Sequence, residues 1–144
     1  MECFGLDWYI GSPPYSRLAE MNKISAIYQG QLDSLENIKV SPFSRAYTFS
    51  DSVYEVIPYF DGVPLCFQMH LERLKLSLEM SGISVDIDIV QTEIQKLALE
   101  LKSKNGYVYF QISGGIDELR SHLHQDDMIA ERFGYVVSID LFSS

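Results

Sequence analysis

The chain is 144 residues long, 47% hydrophobic and 22% charged, with a formal net charge of −9. That composition describes one globular domain, able to bury about 68–70% of its unfolded surface without help from disulfides or metals. The acidic balance argues against a nucleic-acid or anionic-membrane binder, and Cys3 and Cys66 fit neither a disulfide framework nor a zinc spacing.

Residues 1–23 read as an irregular extension, punctuated by Gly11, Pro13 and Pro14. The opening MECFGLDWYI has no basic segment before an apolar run, unlike a secretory signal. No apolar run in the chain approaches the roughly 20 residues of a membrane span. A soluble, cytoplasmic protein is expected. Ile24–Tyr28 and Gln31–Leu35 form a hairpin about Gln29-Gly30, and a loop containing Pro42 runs to about Asp51. Val53–Phe60 is the central strand, with Val53, Glu55, Ile57 and Tyr59 on one face and Tyr54, Val56, Pro58 and Phe60 on the other. Pro58 cannot donate to a ladder, which places this strand at an edge or bulges it. Asp61-Gly62 turns the chain into a partner strand over Val63–Phe67.

Two helices follow. Leu71, Leu74 and Leu78 make the inward stripe of the first, which stops at Gly82. The second runs from about Ile89 to Ser103, capped by Asp88 with Gln91, with Val90, Ile94, Leu97, Ala98 and Leu101 inward. Tyr107–Ser113 is a strand whose Val108, Phe110 and Ile112 oppose Tyr107, Tyr109 and Gln111. A polar segment, Ile116–Arg132, leads to a last strand over Tyr135–Asp140. Strands, two helices, then strands make an α+β domain: an antiparallel or mixed sheet with two helices packed on one face.

No dinucleotide, P-loop or HExxH signature occurs, and no metal site is indicated. Three groupings could carry chemistry. Ser44–Glu55 interleaves aromatic and small residues at a strand entry, as an ordinary packed strand also would. His70 and Arg73 share one face of a helix start, where a guanidinium suits phosphate or carboxylate, although a solvated helix arginine fits equally. Arg120 and His122 lie in a polar loop and could clamp a carboxylate, or simply be solvated, as His124 is taken to be.

In this order the groupings resemble the class IV pyridoxal-phosphate aminotransferases. S-R-A-Y-T-F-S-D-S-V-Y-E-V from Ser44 to Val56, a hairpin, then H-L-E-R-L from His70, is similar to that family's D-R-G-aromatic-x-F-G-D-G-V-Y-E and H-x-x-R-L. Tyr107–Ser113 with Arg120-x-His122 is similar to its Y-F-Q-V-T-R-G and R-x-H, the latter form pointing to the D-amino-acid (D-alanine) branch. The resemblance covers about Ile24 to Asp140. It implies that residues 24–144 are the family's small N-terminal lobe and that the cofactor lies in a cleft between this lobe and a second one. Arg73 would bind the cofactor phosphate. Tyr54 would lie near the cofactor and the substrate carboxylate. Arg120 and His122 would grip that carboxylate across a homodimer interface, and His70 would support the region.

Departures accompany the match. Ala46, Ser50 and Ser52 stand where the family has glycine, and Ser113-Gly114-Gly115 replaces T-R-G. Lys23, Lys39, Lys75, Lys96, Lys102 and Lys104 do not match the family's cofactor-linking lysine, which lies in the second lobe. The expectation is therefore a lobe that is inactive alone. It would bind pyridoxal phosphate only with its missing partner, which would let it move an amino group from an amino acid to a 2-oxo acid. An aminodeoxychorismate-lyase-like lobe and a non-catalytic interaction domain are the alternatives.

Overall fold

The computed structural model describes residues 24–119 and 128–139. The strands are β1 (Ser25–Tyr28), β2 (Gln31–Ser34), β3 (Ser52–Phe60), β4 (Val63–Pro64), β5 (Gly106–Ser113) and β6 (Glu131–Ser138). The helices are α1 (Arg45–Phe49), α2 (Phe67–Ser81) and α3 (Ile87–Ala98), and a 3-10 turn spans Leu35–Asn37. The strands form one sheet in the order β2-β1-β6-β5-β3-β4, with every neighbouring pair antiparallel. Among the described residues no helix is long and apolar enough to cross a membrane.

The register explains the core. Ile57 pairs with Val108, Val108 with Val136, and Phe110 with Gly134, which itself pairs with Ile27. This row faces one way and is covered by Leu71, Leu74 and Leu78 of α2 and Val90, Ile94 and Leu97 of α3, all buried. The helical stripes and strand alternation are therefore as read, and both long helices cover one face of the sheet. The opposite face carries Tyr54, Val56, Phe60, Tyr109, Phe133 and Tyr135; neither long helix lies over it, and α1 and the 3-10 turn flank it near Gln111 and Phe133.

Several boundaries differ from expectation, each for a physical reason. The return strand is only Val63–Pro64, because Pro64 lacks an N–H and Cys66 turns into the left-handed region (φ 50°) to start α2 at Phe67. Pro58 is not at the sheet edge. Its carbonyl and missing N–H lie on the side of this short β4, where Leu65 N–H donates to Pro58 O at 2.9 Å. The second helix is capped by Asp86, whose carboxylate accepts from Asp88 N–H at 2.9 Å, so it begins at Ile87. It ends at Ala98 rather than Ser103, since Lys102 N–H donates to Ser138 Oγ at 2.8 Å instead of continuing the helix. The loop before β3 holds the short helix α1. The last strand starts at Glu131, four residues before the expected Tyr135, within the stretch read as polar and irregular.

Candidate functional site

β3 alternation directs Glu55 to the helix-covered face, where its side chain is 3% exposed beside the first turns of α2. A lone carboxylate there would be costly, and α2 supplies its partners. Arg73 Nε donates to Glu55 Oε1 at 2.7 Å and Arg73 Nη2 to Glu55 Oε2 at 2.6 Å, a two-pronged grip. His70, one turn earlier, holds Nδ1 2.7 Å from Glu55 Oε2. Because a carboxylate only accepts, that nitrogen is the donor. Burial alone would raise the Glu55 pKa, but the bonds from Arg73 and His70 more than offset it and hold the carboxyl below its ordinary 4.5. Arg73 is 66% exposed. With Nε and Nη2 committed to Glu55, its Nη1 has no partner among the described residues and is left as a donor on an exposed side chain.

Tyr54 precedes Glu55 and so leaves from the other face of β3. Its ring stacks on Tyr109 (centroids 5.5 Å apart, 23° between planes), and Tyr109 stacks on Tyr135 (5.0 Å, 21°). Tyr109 O–H donates to Gln111 Oε1 at 2.7 Å. The Arg73 pKa is raised chiefly by the hydrogen bond to Glu55 and that carboxylate's charge, and further by the nearby Tyr54 phenol. Thus His70 and Arg73 meet at Glu55 on the helix-covered face, whereas Tyr54 leaves from the opposite face. Arg120 and His122, with His124 and residues 1–23, lie outside the described residues.

Glu55 was not singled out as a functional group, yet the alternation that placed it with Ile57 and Tyr59 carried the signal: an inward carboxylate requires a cation. A second knot was hidden more fully. Arg45, itself buried, donates from Nε to Asp51 at 2.8 Å and from Nη1 to Asp117 at 3.1 Å, and its guanidinium lies 4.6 Å from the Phe49 ring centroid. This knot ties α1 to the strand ends and explains one departure. A Cβ at Gly114, where the family motif has arginine, would collide with the Asp51 carboxylate. Ser50, at a family glycine, closes α1 in the left-handed conformation (φ 53°) that glycine ordinarily supplies.

The sequence model of the amino-transferase class IV family matches residues 52–138, more than half of the chain. The chain belongs to the class IV aminotransferase family. It is 29% identical over 112 residues to a D-alanine aminotransferase of Listeria monocytogenes, covering 75% of this chain and 38% of that protein. It is 32% identical over 88 residues to a D-alanine aminotransferase of Staphylococcus epidermidis, covering 60% of this chain and 31% of that protein. Among solved structures, the branched-chain amino acid aminotransferase of Escherichia coli superposes with a TM-score of 0.71 at 17% identity, over 81% of this chain and 41% of that one. The 4-amino-4-deoxychorismate lyase of Pseudomonas aeruginosa superposes with a TM-score of 0.69 at 16% identity, over 82% and 41%. These likenesses show the fold, the small lobe of fold-type IV enzymes. The chain spans less than half the length of the relatives it matches.

Proposed function

We propose that this chain is the N-terminal lobe of a D-alanine-type aminotransferase, and that it supplies the phosphate-binding arginine of a site completed by a second, lysine-bearing lobe. The observation that carries the reading is the exposed guanidinium of Arg73, anchored to Glu55 by two hydrogen bonds. The fit to pyridoxal phosphate rests on this arrangement: a fixed fork meets a phosphate without first losing side-chain freedom. Glu55 neutralises only part of the fork's donor capacity, and His70 keeps Glu55 from swinging away. The cofactor, when bound, supplies the electron sink for moving an amino group between an amino acid and a 2-oxo acid.

Tyr54 presents its hydroxyl from the open sheet face, held in plane by Tyr109, and orients the substrate carboxylate in this reading. Arg120 and His122 complete the carboxylate grip from a neighbouring copy, so the working enzyme is a cytoplasmic homodimer. Alone, the 144 residues are inactive, because none of their lysines occupies the cofactor-linking position. The D-amino-acid assignment is supported by the D-alanine aminotransferase relatives and by Arg120-x-His122. The test is to join the chain to the lysine-bearing lobe of the Listeria D-alanine aminotransferase and measure amino transfer from D-alanine to a 2-oxo acid. Transfer from D-alanine but not L-alanine is expected. Pyruvate released from aminodeoxychorismate with no amino transfer would replace this reading with a lyase. Absence of any retained cofactor would leave an interaction domain.

A further inference from the structure

Four carboxylates are buried among the described residues: Glu55, Glu93, Asp117 and Glu131. Three meet an arginine: Glu55 meets Arg73, Glu93 meets Arg132 and Asp117 meets Arg45. Glu131 does not. It is 6% exposed and accepts only from neutral hydroxyls: Ser44 Oγ at 2.6 Å and Ser113 Oγ at 3.2 Å on Oε1, and Tyr28 Oη at 2.6 Å on Oε2. These hydroxyls satisfy its oxygens but, unlike the three guanidiniums, bring no positive charge to the carboxyl. The Tyr28 pKa is pushed up to about 12, first by burial and then by the bond to Glu131 and its negative field.

Glu131 also lines a cavity of ≈ 300 Å³ on the open side of the sheet. Leu35, Ile38, Val40 and Phe133 give it an apolar wall. Ser44, Gln111 and Glu131 give it a polar floor. Tyr109 O–H already engages Gln111 Oε1 at 2.7 Å. The volume is at the small end of ligand pockets and suits a molecule of few heavy atoms.

We propose that this cavity binds a small organic cation, a primary alkylammonium whose charge sits on Glu131 and whose short chain lies against Leu35, Ile38, Val40 and Phe133. The ammonium replaces the arginine that every other buried carboxylate has. The apolar wall separates this ligand from a bare inorganic ion, and the carboxylate separates it from a neutral alcohol of the same shape. The site does not depend on the transaminase reading, since it uses neither Arg73 nor Tyr54.

The test uses the 144-residue chain and NMR titration with n-butylammonium, n-butanol and ammonium chloride. n-Butylammonium should shift amide signals at Ser44, Gln111, Glu131 and Phe133 and saturate with a Kd on the order of millimolar. n-Butanol and the bare ammonium ion should each bind at least about tenfold more weakly, the ratio expected for losing one charged hydrogen bond or the apolar contact. Glu131→Gln should remove the preference for the charged ligand. Equal binding of n-butanol and n-butylammonium to the unaltered chain would overturn the proposal without reliance on any variant, as would shifts confined to other regions or none at all.

Discussion

Glu55 does two jobs at the scale of one residue: it satisfies a buried position on the core face of β3, and it aims Arg73. Its pKa is held below the ordinary 4.5, so its contribution is present above that value and is lost as pH falls through the lower folded value. Urea midpoints measured against pH should therefore decline below about 4.5, and Glu55→Gln should flatten that decline and cost about 1–3 kcal/mol at neutral pH. Unchanged acid sensitivity in the variant would mean that other carboxylates govern it. Tyr28 contributes to the alkaline limit, together with Tyr59, Tyr109 and Tyr135, whose phenols burial also pushes up. The folded Tyr28 pKa of about 12 lies above its ordinary 10.0, so its contribution is complete below pH 10 and disappears as pH rises toward 12. Tyr28→Phe should reduce that alkaline decline, read by the same urea midpoints between pH 9 and 12. A slope identical to the unaltered chain would show that the Tyr28 phenol does not contribute to alkaline stability.

At the element scale, Gly134 of β6 leaves no room for a side chain. A Cβ on Gly134 would stand 2.7 Å from Phe110 Cδ2 and 2.7 Å from Tyr109 O, with Leu97 Cδ1 at 2.9 Å. Backbone oxygen cannot retreat as a side chain can, so Gly134→Ala should destabilise the fold by about 1–3 kcal/mol in chemical denaturation. A neutral outcome would mean that α3 rides less closely on the sheet. β6 also shows what could be seen in advance. The α2 stripe Leu71, Leu74 and Leu78 and the alternation of β3 and β5 were legible because the signal is periodic and local. Glu131 and Arg132 masked the start of β6 because charged residues suggest loop. Their partners are Tyr28, Ser44 and Glu93, all far away in sequence. The same distance concealed the Arg45 knot and, with it, helix α1. The Glu55–Arg73 pairing lies between these cases: the face of each residue is legible on its own element, but only the packing of α2 on β3 joins them.

The whole molecule leaves one broad face of its sheet without a helical layer. Tyr54, Val56, Phe60, Val63, Leu65 and Met69 are exposed there and along the adjoining edge. An apolar surface of this kind is normally covered. The chain spans only 38% of the Listeria relative and 41% of the Escherichia coli structure it superposes on. In isolation it should self-associate, with a sedimentation coefficient that rises with concentration; a clean monomer at high concentration would contradict this. The central claim, that Arg73 is the phosphate ligand of a shared cofactor site, is tested most directly by cofactor affinity. With the chain joined to a lysine-bearing lobe, Arg73→Gln should weaken pyridoxal phosphate binding by at least about tenfold, the effect of losing a charge-assisted bond. Equal dissociation constants for the unaltered and Arg73→Gln proteins would contradict it.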